Sequence, residues 1–509
     1  MKWRSADTVR GAGWLAVGYG ARTAAYLGIT VVLGRELGPA AFGAVALFIA
    51  LGNGIAFVAG TWPFISVPLM VAEGRSAASA FGPALLLALA GAVLGAALVL
   101  PLSARLLTDG PDVLILLSVY ALGLLVLNGV YAVLQAYERM RSIALLQSFE
   151  RTASLAVLAV LALTVGLGAT DAQLVLSAVV LACGGIAVAV LARRVRLVRL
   201  EDLGRAGLGQ VISRTGWLAV VTAASYLVAS VDVVVLALFV SDAEVGVYAL
   251  AYQVYAAVLQ LGSLWLVAAL PSHARAAARG ASIVVPEPSR LAAAAALWGS
   301  GVGLLAVTGA LAVPAVFGSQ FERSVGPLTL LLASAALLAP FFAATPVLVA
   351  AGRSRRLAAA CAGCAGLNLA LDFLLAPALG IWGPAVATCA QSLAAVGLVA
   401  GAAFGRGANG KALAAALPVT LATGLLAAGP DRAGLIALAA VVTTLTLAAA
   451  VRWLSRPGPP ASTPGPEPAA AATEGGSAGT GAALSATVSG VSADAGSPRT
   501  QPGTTPASG

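Results

Sequence analysis

Long apolar runs, each about the length a helix needs to cross a bilayer, follow one another along most of the chain. Crossing the hydrocarbon takes about 20 apolar residues at 1.5 Å each. Fourteen such runs are placed at 12–34, 42–71, 78–102, 112–134, 143–167, 171–192, 212–239, 245–270, 290–316, 326–350, 356–377, 381–404, 411–428 and 433–454. Lys2, Arg4 and Arg10 precede the first run. It is too long for a secretory signal, contains Arg22 and lacks a convincing cleavage site, so it reads as a retained helix. The pattern predicts an all-α polytopic membrane protein.

Composition narrows the class. Of 509 residues, 60% are hydrophobic and 10% charged, and the mean hydropathy is +0.96. A soluble protein carries roughly 25% charged residues. Cytosolic enzymes, secreted disulfide scaffolds and disordered chains are therefore excluded. The net charge of +9 does not point to nucleic acid, because the basic residues sit in short clusters between apolar runs. They read as topology signals and contacts to anionic membrane lipids. Four Cys and one His indicate neither a disulfide framework nor a metal centre, and no cofactor motif or catalytic constellation is present.

With the N-terminus inside, twenty-two Lys and Arg fall in inner segments and four (Arg35, Arg105, Arg323, Arg432) in outer ones. One helix more or fewer would invert every later loop, so the asymmetry supports an even count with both termini cytoplasmic. A cysteine introduced at 240–244 is then expected to react with an impermeant thiol reagent outside intact cells, and one in 193–211 to be spared. The reverse pattern would overturn the orientation.

The parts divide into a first six-helix bundle (1–192), a basic cytoplasmic linker (193–211), a second bundle (212–404), two extra helices (405–454) and a Pro/Gly/Ala/Ser/Thr tail (455–509). The tail cannot bury enough surface to offset its ordering entropy, so disorder is expected there. Truncation at 457 should leave membrane insertion and activity intact; loss of activity at normal membrane levels would contradict this.

An internal repeat supports the division. A shift of 203 places Gly13-Trp14-Leu15-Ala16-Val17 on Gly216-Trp217-Leu218-Ala219-Val220, and Gly43, Ala46 and Leu47 on Gly246, Ala249 and Leu250. Over 13–48 thirteen of thirty-six positions are identical, several-fold above chance. Six helices separate the copies, so both run the same way through the membrane. Such parallel repeats predict two bundles about an axis normal to the bilayer, with a central cleft.

Several segments carry a resemblance. Gly34-Arg35-Glu36-Leu37-Gly38-Pro39-Ala40-Ala41-Phe42-Gly43 resembles the LGPxxFG signature of bacterial polysaccharide (oligosaccharide-lipid) flippases. Val231-Asp232, Glu244-Val245-Gly246-Val247-Tyr248-Ala249-Leu250-Ala251-Tyr252 and the helix-ending Leu270-Pro271 fit the same family. So do Ala350-Ala351-Gly352-Arg353, Asn368 and Gly380-Ile381-Trp382-Gly383-Pro384-Ala385-Val386-Ala387-Thr388. Pro384, where a small residue is more usual, and the bare tail are departures. The resemblance covers about 10–405 and implies the multidrug/oligosaccharidyl-lipid/polysaccharide exporter superfamily. It further implies a bacterial cytoplasmic-membrane protein that moves undecaprenyl-linked sugars outward beside the glycosyltransferases and polymerase of the same pathway.

A phosphate-sugar headgroup needs a wet, cationic cleft. Arg22 lies near mid-membrane, where a charge costs several kcal/mol unless it faces a cavity or partner, and its planar fork suits phosphate oxygens. A structural ion pair or a snorkelling side chain is the alternative. Glu150 and Arg151 adjoin in helix 5; neighbouring helical side chains diverge by about 100°, so they are not expected to pair with each other. Arg151 is a second substrate candidate and Glu150 a charge partner. Asp232 and Asp372 are candidates to bind a coupling cation or proton, or to partner a cleft arginine. Asn53, Gln253, Asn128, Gln135, Gln260 and Asn368 suit either sugar hydroxyls or helix–helix hydrogen bonds. Cys361 and Cys364 share a helical face and read as packing.

Two other functions compete. A cation-coupled drug exporter would favour acidic and aromatic cleft residues over Arg22. A glycosyl polymerase or ligase would need a sizeable outer loop with acidic, His or Arg groups. Every predicted outer loop is short, and His273, the sole histidine, lies inside.

Overall fold

The computed structural model describes residues 5–56, 62–72, 74–107, 111–137, 139–193, 205–278, 287–428, 439 and 441–447. Residues 1–456 form one compact unit. Most of the expected helix 433–454, most of the linker 193–211, the tail 455–509 and the tip of the loop 104–111 lie outside the described residues. No strand occurs among the described residues. The helices are α1 (Ser5–Asn53), α2 (Ser66–Ala72), α3 (Ala77–Leu106), α4 (Pro111–Ala136), α5 (Met140–Thr164), α6 (Ala169–Ala192) and α7 (Arg205–Leu236). They continue as α8 (Asp242–Ala278), α9 (Pro288–Phe317), α10 (Val325–Ala336), α11 (Ala339–Ala350), α12 (Ser354–Leu379), α13 (Trp382–Ala395) and α14 (Gly401–Ala428).

Among the described residues nine helices are long and apolar enough to cross a membrane, or up to eleven with two bent pairs counted as spans. The difference from fourteen has local causes. At 49 residues, α1 would run about 74 Å if straight, over twice the hydrocarbon thickness. Gly38, at φ 69°, breaks it into the first two predicted spans, 5–37 and 39–53. Only glycine enters that left-handed region without strain. The second span stops at Asn53 and restarts as a short 3₁₀ turn (Trp62–Ile65) and α2, where Pro63 and Pro68 withdraw backbone donors. The tenth is bent by 46° between α10 and α11, next to Pro340 at the α11 start. α7 begins inside the predicted linker. α8 passes through Pro271 to Ala278, because one missing donor kinks a helix without ending it.

The repeat is visible in the packing. Within the first half α1 packs on α5, and within the second α7 packs on α12. The repeat-equivalent tryptophans each lie under a basic residue of that neighbour. Arg141 sits 4.9 Å from the Trp14 ring centre and Arg355 5.3 Å from that of Trp217, close enough for cation–π attraction.

The halves meet chiefly where the arm 39–53 of α1 crosses α8. A Cβ on Gly43 would strike the carbonyl oxygen of Asp242 and the amide nitrogen of Gly246. One on Gly246 would strike the carbonyl oxygen of Pro39 and the amide nitrogen of Gly43. Residues 39 and 43 map onto 242 and 246 under the 203-residue shift. The contact is therefore self-complementary about a local two-fold axis, as in an isologous interface. Around it Phe42 meets Phe321 edge-on at 5.8 Å, and Arg323 pairs with Glu244 at 3.0 Å. The seam lies toward the end of the molecule that carries Arg35 and Arg323.

Candidate functional site

Behind this seam lies a cavity of about 480 Å³ lined from both halves. The first half supplies Arg22 and Tyr26 of α1, Asn53 at the end of α1 and Arg151 of α5. The second supplies Tyr226 and Ser230 of α7, and Tyr252, Gln253 and Gln260 of α8. Apolar walls thus carry two guanidinium groups, tyrosines and amides, which suits an anionic, hydroxyl-rich headgroup.

Arg22 is half-buried, and among the described residues no carboxylate pairs with it. Arg151 is buried, its guanidinium lies 5.9 Å from the Tyr26 ring centre, and its Nε sits 3.2 Å from Glu150 Oε2. The pairing of neighbours corrects the sequence expectation. Their Cα–Cβ bonds diverge, but both side chains are long, and a buried charge without a partner costs more than bending them together. Glu150 thereby balances Arg151 and does not line the cavity. Gln253 accepts a hydrogen bond from Thr30 Oγ1, and Tyr226 donates to the Ala50 carbonyl at 2.8 Å; both bonds tie the halves together at the cavity wall.

Asp232 does not line the cavity and no ion pair with Arg22 forms among the described residues, so of its two expected roles partnering a cleft arginine is not seen. Its Oδ2 accepts from the Tyr248 hydroxyl at 2.9 Å and from Thr388 Oγ1 at 2.8 Å. Its Oδ1 accepts from Asn368 Nδ2 at 2.7 Å, and the same amide donates to Asp372 Oδ2 at 3.0 Å. Asp232, Tyr248, Asn368, Asp372 and Thr388 are all fully buried. Asn368, for which sugar hydroxyls and a helix–helix hydrogen bond were both open, makes the helix–helix bond and bridges two acids: positions 368 and 372 share a face of α12 one turn apart. No donor reaches Asn368 Oδ1 or Asp372 Oδ1, and among the described residues no basic side chain pairs with either acid. Two carboxylates in a low-dielectric interior do not both stay charged without compensation, which a proton or a cation can supply.

Sequence reasoning missed the tyrosines of both sites, Tyr26, Tyr226, Tyr248 and Tyr252. Their sign was a hydroxyl in mid-span, which a buried helix must satisfy. Thr388 stood unremarked at the end of the Trp382-Gly383-Pro384 segment.

The helical order, the two-fold seam and the shared cavity define a multi-pass membrane protein with a transporter fold. The lipid II flippase MurJ in an inward closed conformation matches with a TM-score of 0.62 at 13% identity, covering 87% of this chain and 99% of that one. An inward-facing multidrug resistance MATE transporter of the MOP superfamily matches with a TM-score of 0.50 at 13% identity, covering 84% and 97%. Residues 8–276 match the polysaccharide biosynthesis protein family, and the chain belongs to that family. No curated protein matches the sequence.

Proposed function

We propose that the protein is a flippase for lipid-linked oligosaccharides in the bacterial cytoplasmic membrane, with both termini cytoplasmic. It passes the sugar-phosphate headgroup through the central cavity while the polyprenyl chain stays in the bilayer. The observation that carries this reading is the Arg22 guanidinium, which no carboxylate pairs with among the described residues, in the cavity wall beside Arg151. A phosphate or diphosphate group supplies the missing charge, and Asn53 and Gln253 suit sugar hydroxyls. The two six-helix halves rock about the seam, and the Asp232–Asp372 pair takes up a monovalent cation that drives the cycle. Glycosyltransferases and a polymerase of the same pathway are its functional partners.

The test is reconstitution with a fluorescent undecaprenyl-diphosphate sugar and leaflet-specific quenching, with and without a sodium gradient. Headgroup crossing that depends on this protein is the expected result; none over protein-free vesicles would overturn the reading. The tyrosine-lined wall favours a second reading, export of amphiphilic cations. Ethidium efflux from the same vesicles, without headgroup crossing, would support it instead. A free Arg22 opposes it by repelling cationic cargo. Replacing Asp232 with asparagine should cut ²²Na⁺ binding at least tenfold while leaving the melting temperature within a few degrees, because the amide oxygen can still accept from Asn368 and the Tyr248 and Thr388 hydroxyls can turn to accept from its NH₂.

A further inference from the structure

The turn that joins α4 to α5 returns between α11 and α12. Under a shift of 214 residues, Val133, Leu134, Ala136, Arg139 and Arg141 fall on identical residues at 347, 348, 350, 353 and 355. The backbone repeats with them. Arg139 donates its N–H to the Leu134 carbonyl and Arg353 to that of Leu348, both at 2.9 Å. The Arg139 carbonyl accepts from the Ile143 N–H at 3.2 Å, and the Arg353 carbonyl from the Leu357 N–H at 3.1 Å. Val133 and Val347 are buried, so packing accounts for their identity. It does not account for the arginines. All four are exposed, and among the described residues none pairs with a carboxylate.

Their setting is the water boundary of the membrane. Met140–Thr164 and Ser354–Leu379 are each long and apolar enough to span, so both arginine pairs stand at the first turn of a span. The second arginine of each pair lies over a tryptophan that the halves also share, Trp14 or Trp217. Tryptophan belongs at headgroup level and basic residues just beyond it. Farther in, the surface is apolar and open. Leu145 and Phe149 follow Arg141 down one side of α5. Their equivalents Ala359 and Gly363 are exposed on α12. Paired guanidinium forks suit the oxygens of a phosphate, and an apolar strip beneath them suits acyl chains. Basic residues at this depth favour anionic lipids over neutral ones.

We infer that each half holds one anionic glycerophospholipid at this boundary. Its phosphate rests on Arg139 and Arg141 in the first half and on Arg353 and Arg355 in the second, with the chains along the exposed sides of α5 and α12. α1 and α5 carry Arg22 and Arg151, and α7 and α12 carry Asp232 and Asp372. Each lipid therefore clips together, at one end, the helix pair that bears its half's inner ionisable groups. Neither clip depends on what crosses the central cavity.

The full-length protein, stripped of lipid in detergent, is titrated with dioleoylphosphatidylglycerol and read by native mass spectrometry. Two tight equivalents are expected, with dioleoylphosphatidylcholine at least tenfold weaker. Arg139→Gln/Arg141→Gln should keep one, and the quadruple variant with Arg353→Gln/Arg355→Gln should keep none. Two tight equivalents on the quadruple variant, or equal binding of the two lipids by the wild type, overturns the inference. Undecaprenyl diphosphate displacing both equivalents would overturn it as well, by making the arginines a dock for lipid-linked substrate. A second readout needs no variant. Phosphatidylglycerol should slow phenylglyoxal modification of Arg139 and Arg353 at least fivefold, and that of Arg75, an exposed lone arginine ahead of α3, less than twofold. Equal protection of Arg75 would mean general attraction to a charged surface and no site.

Discussion

Arg22→Ala is expected to lower headgroup crossing at least a hundredfold while the protein still inserts and melts normally. The side chain lies midway along the 5–37 arm of α1, and in the middle of a spanning helix an arginine costs several kcal/mol unless a cavity or partner receives it. Here a cavity receives it, and no carboxylate is stranded by its removal. Truncation therefore deletes a charge and leaves none unpaired, the opposite of breaking a buried pair such as Glu150–Arg151. A phosphate contact by a bidentate guanidinium carries up to about 3 kcal/mol; with the long-range attraction of the cleft lost as well, a hundredfold loss follows. Arg22→Lys should recover part of the rate, since an ammonium restores charge without the planar fork. Transport per folded protein, with melting in detergent alongside, decides the matter. Normal crossing by a folded Arg22→Ala protein would remove the residue from the substrate site.

Gly246→Val should be the most damaging single change at the seam. Its Cβ would fall on the Pro39 carbonyl oxygen, which is backbone and cannot swing aside as a flexible side chain can. The arms must part by an ångström or more, and the face bearing Glu244 and Arg323 can no longer close. Crossing should drop at least tenfold with binding of the labelled headgroup largely kept. Spin labels on Pro39→Cys and Asp242→Cys should show a longer distance distribution than in the protein with Gly246 intact. An unchanged distribution would mean that the seam tolerates bulk and does not gate the cleft.

Much of the architecture was legible in the chain. Apolar run length is set by bilayer thickness, and the placement of Lys and Arg by topology, so both leave a record in one dimension. The 203-residue shift aligned Trp14 with Trp217 and Gly43 with Gly246 before any contact was known. What it could not say is that Gly43 and Gly246 touch each other, because equivalence under a repeat does not specify where the axis passes. The break at Gly38 was hidden because hydropathy continues unchanged through it. Arg22, Arg151, Asn53 and Gln253 line one cavity. The Glu150–Arg151 pairing was misread and the partner of Asn368 was not legible, because these depend on side-chain length and on helices far apart in sequence: Asn368 meets Asp232 across 136 residues.

The self-complementary glycine seam bears on descent. A half-length chain with one such glycine arm could pair with its own copy by the geometry seen here, each Gly facing the other's. Gene duplication and fusion then join the pair without inventing a new interface. Once fused, the copies are released from identity. Arg22 corresponds to Ser225 and Asp232 to Ile29, so a cation-bearing wall persists in one copy and an acid pair in the other. A homodimeric ancestor would have carried both or neither in each subunit, and reversing the fusion today would leave each half without the charge its sister holds.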